Sequence, residues 1–109
     1  MKNGTYHYEV TMMVPLGKRN GTLKIAVLDD KMTGYLTMFT ETLPITEGTC
    51  NGEQLTFSGQ MKTLLNTFGY VADGIITQDQ IELQFHTERG EYPAVGRRTH
   101  LFSQEGIYE

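Results

Sequence analysis

Proline and cysteine are scarce in this chain, and each shortage excludes something. Three prolines in 109 residues leave long stretches free to pair as strands. The single cysteine, Cys50, rules out an internal disulfide and fits a reducing cytoplasm. No apolar run approaches the ~20 residues of a membrane helix, and Met1 to Tyr8 has no apolar core of a signal peptide. Clustered positive charge is also missing. Nine basic residues face 13 acidic ones, for a net charge of −4. The only basic pairs are Lys18-Arg19 and Arg97-Arg98. Counterion release needs clustered cations, so neither nucleic acid nor an anionic membrane is expected as a partner. Finally, no 11-residue window carries a helical stripe of apolar residues.

Turns and alternation are abundant. Glycine is well above its usual ~7% share, with 12 residues. Turn signals recur about every dozen residues: Lys18 to Gly21, Asp29-Asp30, Asn51-Gly52, Asp73-Gly74, Gln78 to Gln80 and Glu88 to Gly90. The apolar runs between them alternate with period two, as strands with one face on a core do. The expected fold is all-β: an antiparallel meander of eight to nine strands closing into a small calycin-like barrel, in a single domain over residues 1–109 with a loosely held tail at 101–109.

The faces can be assigned strand by strand. Tyr6, Tyr8, Val10 and Met12 point inward, as do Leu23, Ile25 and Val27, then Met32, Leu36 and Met38. Leu43 to Cys50 is a weaker strand whose Pro44 marks an edge or a bulge; its Glu47 is placed inward. Phe57 and Met61 continue the core, with Gly59 at a bend. A sixth strand runs from about Thr63 to Ala72 with Phe68 and Tyr70 outward. Asp73-Gly74 then turns into a short seventh, Ile75 to Thr77. Ile81, Leu83 and Phe85 point inward from the eighth. On the ninth, Tyr92, Ala94, Gly96 and Arg98 share the inner face.

A resemblance rests on several of these turns. Gly21-Thr22-Leu23, Asn51 to Gly59, Asp73 to Ile76, Asp79 to Leu83 and Gly96-Arg97-Arg98 together resemble a group of small bacterial all-β proteins, mostly of unknown function, similar to lipocalin-like and streptavidin-like barrels. The resemblance spans about Gly4 to Arg98 and implies a meandering barrel. It carries over no catalytic residues.

The chemistry-bearing residues are few. His86 and Glu88 share a face but have no third ligand in pattern, so no metal or cofactor is expected. Cys50 has acids near it in sequence, the wrong setting for a nucleophile. Arg98 is the most informative polar residue. A guanidinium on an inner face needs a carboxylate, an aromatic ring or a ligand anion. The expected site is therefore a barrel mouth lined by Tyr6, Tyr8, Tyr92 and Arg98, taking a small apolar or anionic aromatic ligand. The alternative is an interaction protein that forms homo-oligomers through outward Tyr35, Phe39, Phe68 and Tyr70. A barrel-type lyase or isomerase stands third, because no paired acid and base can be read.

Overall fold

The computed structural model describes residues 1–99. Eight strands follow one another: β1 (Gly4–Val14), β2 (Gly17–Leu28), β3 (Lys31–Met38), β4 (Glu41–Asn51), β5 (Gln54–Lys62), β6 (Thr67–Ile76), β7 (Gln80–Thr87) and β8 (Gly90–Arg98). Each pairs antiparallel with the next, and β8 returns to β1, so the meander closes into a barrel. The lower end is the one where β1 starts; it carries the 29–30, 52–53 and 77–79 turns. The upper end is where β1 finishes. The expected loose tail, 101–109, lies outside the described residues, as does His100.

Turn chemistry fixes the hairpins. Asp29 and Asp30 both have positive φ, 51° and 70°, the geometry of a two-residue turn matched to strand twist. The Asn3 side chain steadies that turn by accepting a hydrogen bond from the Asp29 N–H at 2.9 Å. Phe39 and Thr40 make the same kind of turn, φ 57° and 66°. Phe39 is thus a turn residue, half-buried against the core, and not the outward strand residue expected.

Inside, alternation gives an entirely apolar filling; among the described residues no buried side chain is charged. Its centre is a triangle of rings. Phe57 meets Tyr70 at 5.8 Å and Phe85 at 6.0 Å, and Tyr70 meets Phe85 at 5.2 Å, all edge-on. Such contacts contribute about 0.5–1.5 kcal/mol each beyond area burial.

Four expectations change. Phe68 and Tyr70 point inward: Tyr70 pairs with Gly59, whose missing side chain leaves room for the ring. Gly59 is therefore a socket rather than a bend. Asp73-Gly74 is no turn, since β6 runs straight through it, so the expected sixth and seventh strands are one and the count is eight, within the eight to nine expected. Gly74 faces inward where β6 and β7 press together, and a β-carbon there would collide with the Glu82 carbonyl oxygen. Glu47 points outward. The β4–β5 register shifts between Ile45↔Gly59 and Glu47↔Ser58, so Thr46 and Glu47 both face solvent while Ile45 and Cys50 face the core. That is a β-bulge, and it reverses the parity of everything after it.

Two stability outcomes follow from this packing. Gly74→Ala is expected to cost about 1–3 kcal/mol in denaturant unfolding, because a rigid backbone neighbour cannot give way; an unchanged midpoint would show that the strands are not pressed together there. Tyr70 carries a buried hydroxyl with no hydrogen-bond partner. Tyr70→Phe is therefore expected to raise stability by about 1 kcal/mol, whereas Phe85→Ala beside it costs about 3–5 kcal/mol. A destabilised Tyr70→Phe would mean the hydroxyl has found a partner.

Candidate functional site

The lower mouth is built at the seam of the barrel. Arg98 ends β8 and pairs with Tyr8 on β1. Its backbone N–H donates to the Asp79 carbonyl at 2.8 Å, which ties the seam to the β6–β7 turn. The side chain is half-buried. Its guanidinium carbon stands 4.8 Å from the centroid of the Tyr6 ring, a cation–π stack. Its Nε is buried without a hydrogen-bond partner. Among the described residues no carboxylate pairs with it.

Both tyrosines are anchored through their hydroxyls. Tyr6 donates to the Lys2 carbonyl at 2.7 Å, and Tyr8 to the Thr77 carbonyl at 2.6 Å. Burial pushes the Tyr8 hydroxyl up to about 12 against the opposing pull of Arg98, so it is a fixed donor near neutral pH. The mouth thus gathers Tyr6, Tyr8 and Arg98. It does not gather Tyr92. That residue shares the inner face but pairs with Phe85 near the upper end, six residues back along β8, roughly 20 Å away at ~3.3 Å per residue. There its ring lies against Gly90. Same-face parity was the signal in the sequence; strand length overrules it.

The upper end has its own arginine and ring, which the sequence reading missed. Arg89 stands 5.5 Å from the centroid of Phe68. Arg19 is half-buried and pairs with Met12, so it shares the inner face there. The odd-numbered series 19, 21, 23, 25, 27 along β2 was its only trace.

Between these ends the inward side chains form one buried apolar cluster. Concavities lie on the outer wall instead. The β4 bulge interrupts the β3–β4 ladder between Lys31↔Thr49 and Tyr35↔Pro44. A groove of about 600 Å³ opens there, lined by Thr33, Thr46, Thr49 and Ser58 and reaching Met32 and Phe57. A second, of about 540 Å³, continues past Ser58 and Val71 to His86. Cys50 is fully buried, and burial pushes its thiol up, which suits a packing residue and not a nucleophile.

His86 lies on the outer wall between two carboxylates: Nε2 is 3.0 Å from Asp73 and Nδ1 is 3.3 Å from Glu91. Glu88, its expected companion, is not part of this group. The hydrogen bond to Glu91, and after it that to Asp73, raises His86 above its ordinary 6.5. His7 moves the other way: burial lowers it first, with Lys24 and Arg98 adding to the effect. The raised group stabilises the fold fully below pH 6.5 and loses that contribution as pH rises through its folded value. A proton NMR titration is expected to place His86 above 6.5 and His7 below it, with Glu91→Gln bringing His86 down. Two histidines titrating together would contradict both placements.

No family model matches this sequence, and comparisons with curated proteins and with solved structures give no match.

Proposed function

We propose that this chain is a binding module of the lipocalin-like and streptavidin-like kind, bacterial and cytoplasmic, which takes a small ligand at its lower mouth. The ligand has an apolar or aromatic body and an anionic group. One observation carries the reading: Arg98 is half-buried and stacked on Tyr6, its Nε has no hydrogen-bond partner, and no carboxylate among the described residues neutralises it. A guanidinium is a planar fork suited to a carboxylate, and holding it on a ring removes much of the entropy it would otherwise lose on binding. The neighbouring Tyr6 ring offers the apolar body a face to lie along.

The filled interior sets the form of that binding. An eight-stranded barrel has room either for side chains or for one small ligand, and here the Phe57–Tyr70–Phe85 triangle takes the space. The ligand therefore rests on the rim. The competing reading, oligomerisation through an aromatic sheet face, loses its patch, because Phe68 and Tyr70 belong to the core.

A thermal-shift screen with aryl carboxylates is the direct test. Ligand at 100 times its Kd stabilises the folded state by about 2.7 kcal/mol, a shift of roughly ten degrees or more for a domain of this size. The shift is expected in wild type and absent in Arg98→Gln. Equal shifts in both proteins, or none in wild type, would remove Arg98 from any binding role.

A further inference from the structure

Two hairpin tips stand out at the upper end of the barrel. β2 pairs with β3 only from Thr22 onward and β3 stops at Met38, so the β1–β2 tip projects past the β3–β4 turn. On the other side of the barrel, β6 pairs with β7 only from Val71 and β7 stops at Thr87, so the β5–β6 tip projects past the β7–β8 turn. These tips carry the three most exposed large apolar side chains among the described residues: Leu16 at 86%, Leu64 at 98% and Leu65 at 85%.

Charge marks the same two tips. Residues 13–20 and 61–67 contain no acid, although the chain has 13, and they hold Lys18, Arg19 and Lys62. Arg89 joins them: with the Asn66 amide oxygen turned toward it, Arg89 donates to that oxygen at 3.0 Å. The acids of this end, Glu41, Glu88 and Glu91, lie on the other two hairpins, β3–β4 and β7–β8, where Glu91 is taken up by His86. The lower end mixes signs, with Asp29, Asp30, Glu53 and Asp79 beside Lys2, Lys31, Arg97 and Arg98. Net charge therefore argues against an anionic surface for the chain as a whole, but not for these two tips.

We propose that the upper end docks on an anionic lipid bilayer. Leu16 and Leu64-Leu65 dip beneath the headgroups while Lys18, Lys62 and the nearby arginines meet lipid phosphates. Apolar insertion combined with basic attraction is the recognised basis of such contacts. Shape favours lipid over protein. Two separate points do not offer the roughly 800 Å² of continuous surface per partner that a stable protein interface needs; a bilayer yields to points. The β5–β6 tip is also ordered in advance: Thr63 N–H donates to the Asn66 carbonyl at 2.7 Å, and Asn66 N–H to the Thr63 hydroxyl at 3.1 Å. Only the tips enter, since the interior is apolar and most of the wall polar, the reverse of a spanning barrel. The lower end, with its Arg98 mouth, faces away from the membrane.

The test is sedimentation of the full chain with vesicles of phosphatidylcholine, alone or mixed with phosphatidylglycerol. Binding is expected to the mixed vesicles, weakening with salt. About a tenfold loss of partitioning is expected for Leu64→Asp with Leu65→Asp, and again for Lys18→Glu with Lys62→Glu. These side chains are exposed, so the thermal midpoint should hold in each variant. The chain has no tryptophan, so Leu65→Trp reports on its own tip. Its emission is expected to shift to the blue with mixed vesicles only. Failure to sediment with mixed vesicles, or equal binding to neutral ones, would overturn the proposal. So would a dimer in solution that Leu64→Asp dissociates, since the tips would then be meeting a second copy.

Discussion

Closure of the first strand onto the last is the constraint on which this molecule depends. The pairs run from Tyr8↔Arg98 to Met12↔Ala94, joining residues at nearly opposite ends of the described chain. A meander forms its other seven pairings between neighbours in sequence; this one must wait until the whole sheet has curled. Without it, β1 and β8 would be open edges with unpaired backbone groups. The seam is fastened below by Thr99, whose N–H donates to the His7 carbonyl at 2.8 Å, and by the tie between Arg98 and Asp79. Arg98 therefore has two duties in one place. Its backbone helps close the barrel, and its side chain covers the mouth that closure creates.

Closure also decides what the interior can be. Eight strands enclose a narrow space, and alternation delivers large side chains into it from every wall. Three rings meet edge-on at its centre, and glycines appear where a ring or a neighbouring strand needs space, as at Gly59 and Gly74. The half-buried arginines and the described concavities lie at its ends and on its outer wall.

Most of this was written plainly in the sequence. Period-two runs gave the strands, and Phe57, Phe85 and the β1 and β2 inner faces were assigned correctly because their strands are uninterrupted. The misreadings share a physical cause: parity is local, and face is relational. Phe68 and Tyr70 were correctly put on one face together, but with Leu65 and Val71 opposite them, hydrophobicity could not say which face was inner. The partner across the strand decides, and it is Gly59 that accommodates Tyr70. Glu47 was lost to a bulge that Pro44 and the odd spacing of Ile45 and Cys50 signal without fixing its position. Asp73-Gly74 writes equally well for a tight turn or for a crowded strand corner, and only the position of β7 distinguishes them. The mouth was legible in Tyr6, Tyr8 and Arg98, and illegible in Tyr92, because sharing a face says nothing about distance along it.

Turn geometry accounts for part of this surface. A tight turn with positive φ favours Asp, Asn or Gly, so the lower end gains acids at Asp29 and Asp30 as a by-product of geometry, and the β1–β2 tip holds Gly17 at φ 127°. No such demand acts on the β5–β6 tip. The β5–β6 turn is held by Thr63 and Asn66 alone, and Leu64 and Leu65 at its apex contribute nothing to the core. A single exposed leucine on a protein surface needs no explanation. Three of them at the tips of two hairpins at one end, with cations beside them and no acid within either tip, are not accounted for by folding. A rigid, filled barrel holds that end and the Arg98 mouth at a fixed separation, so a contact made at one leaves the other open to solvent.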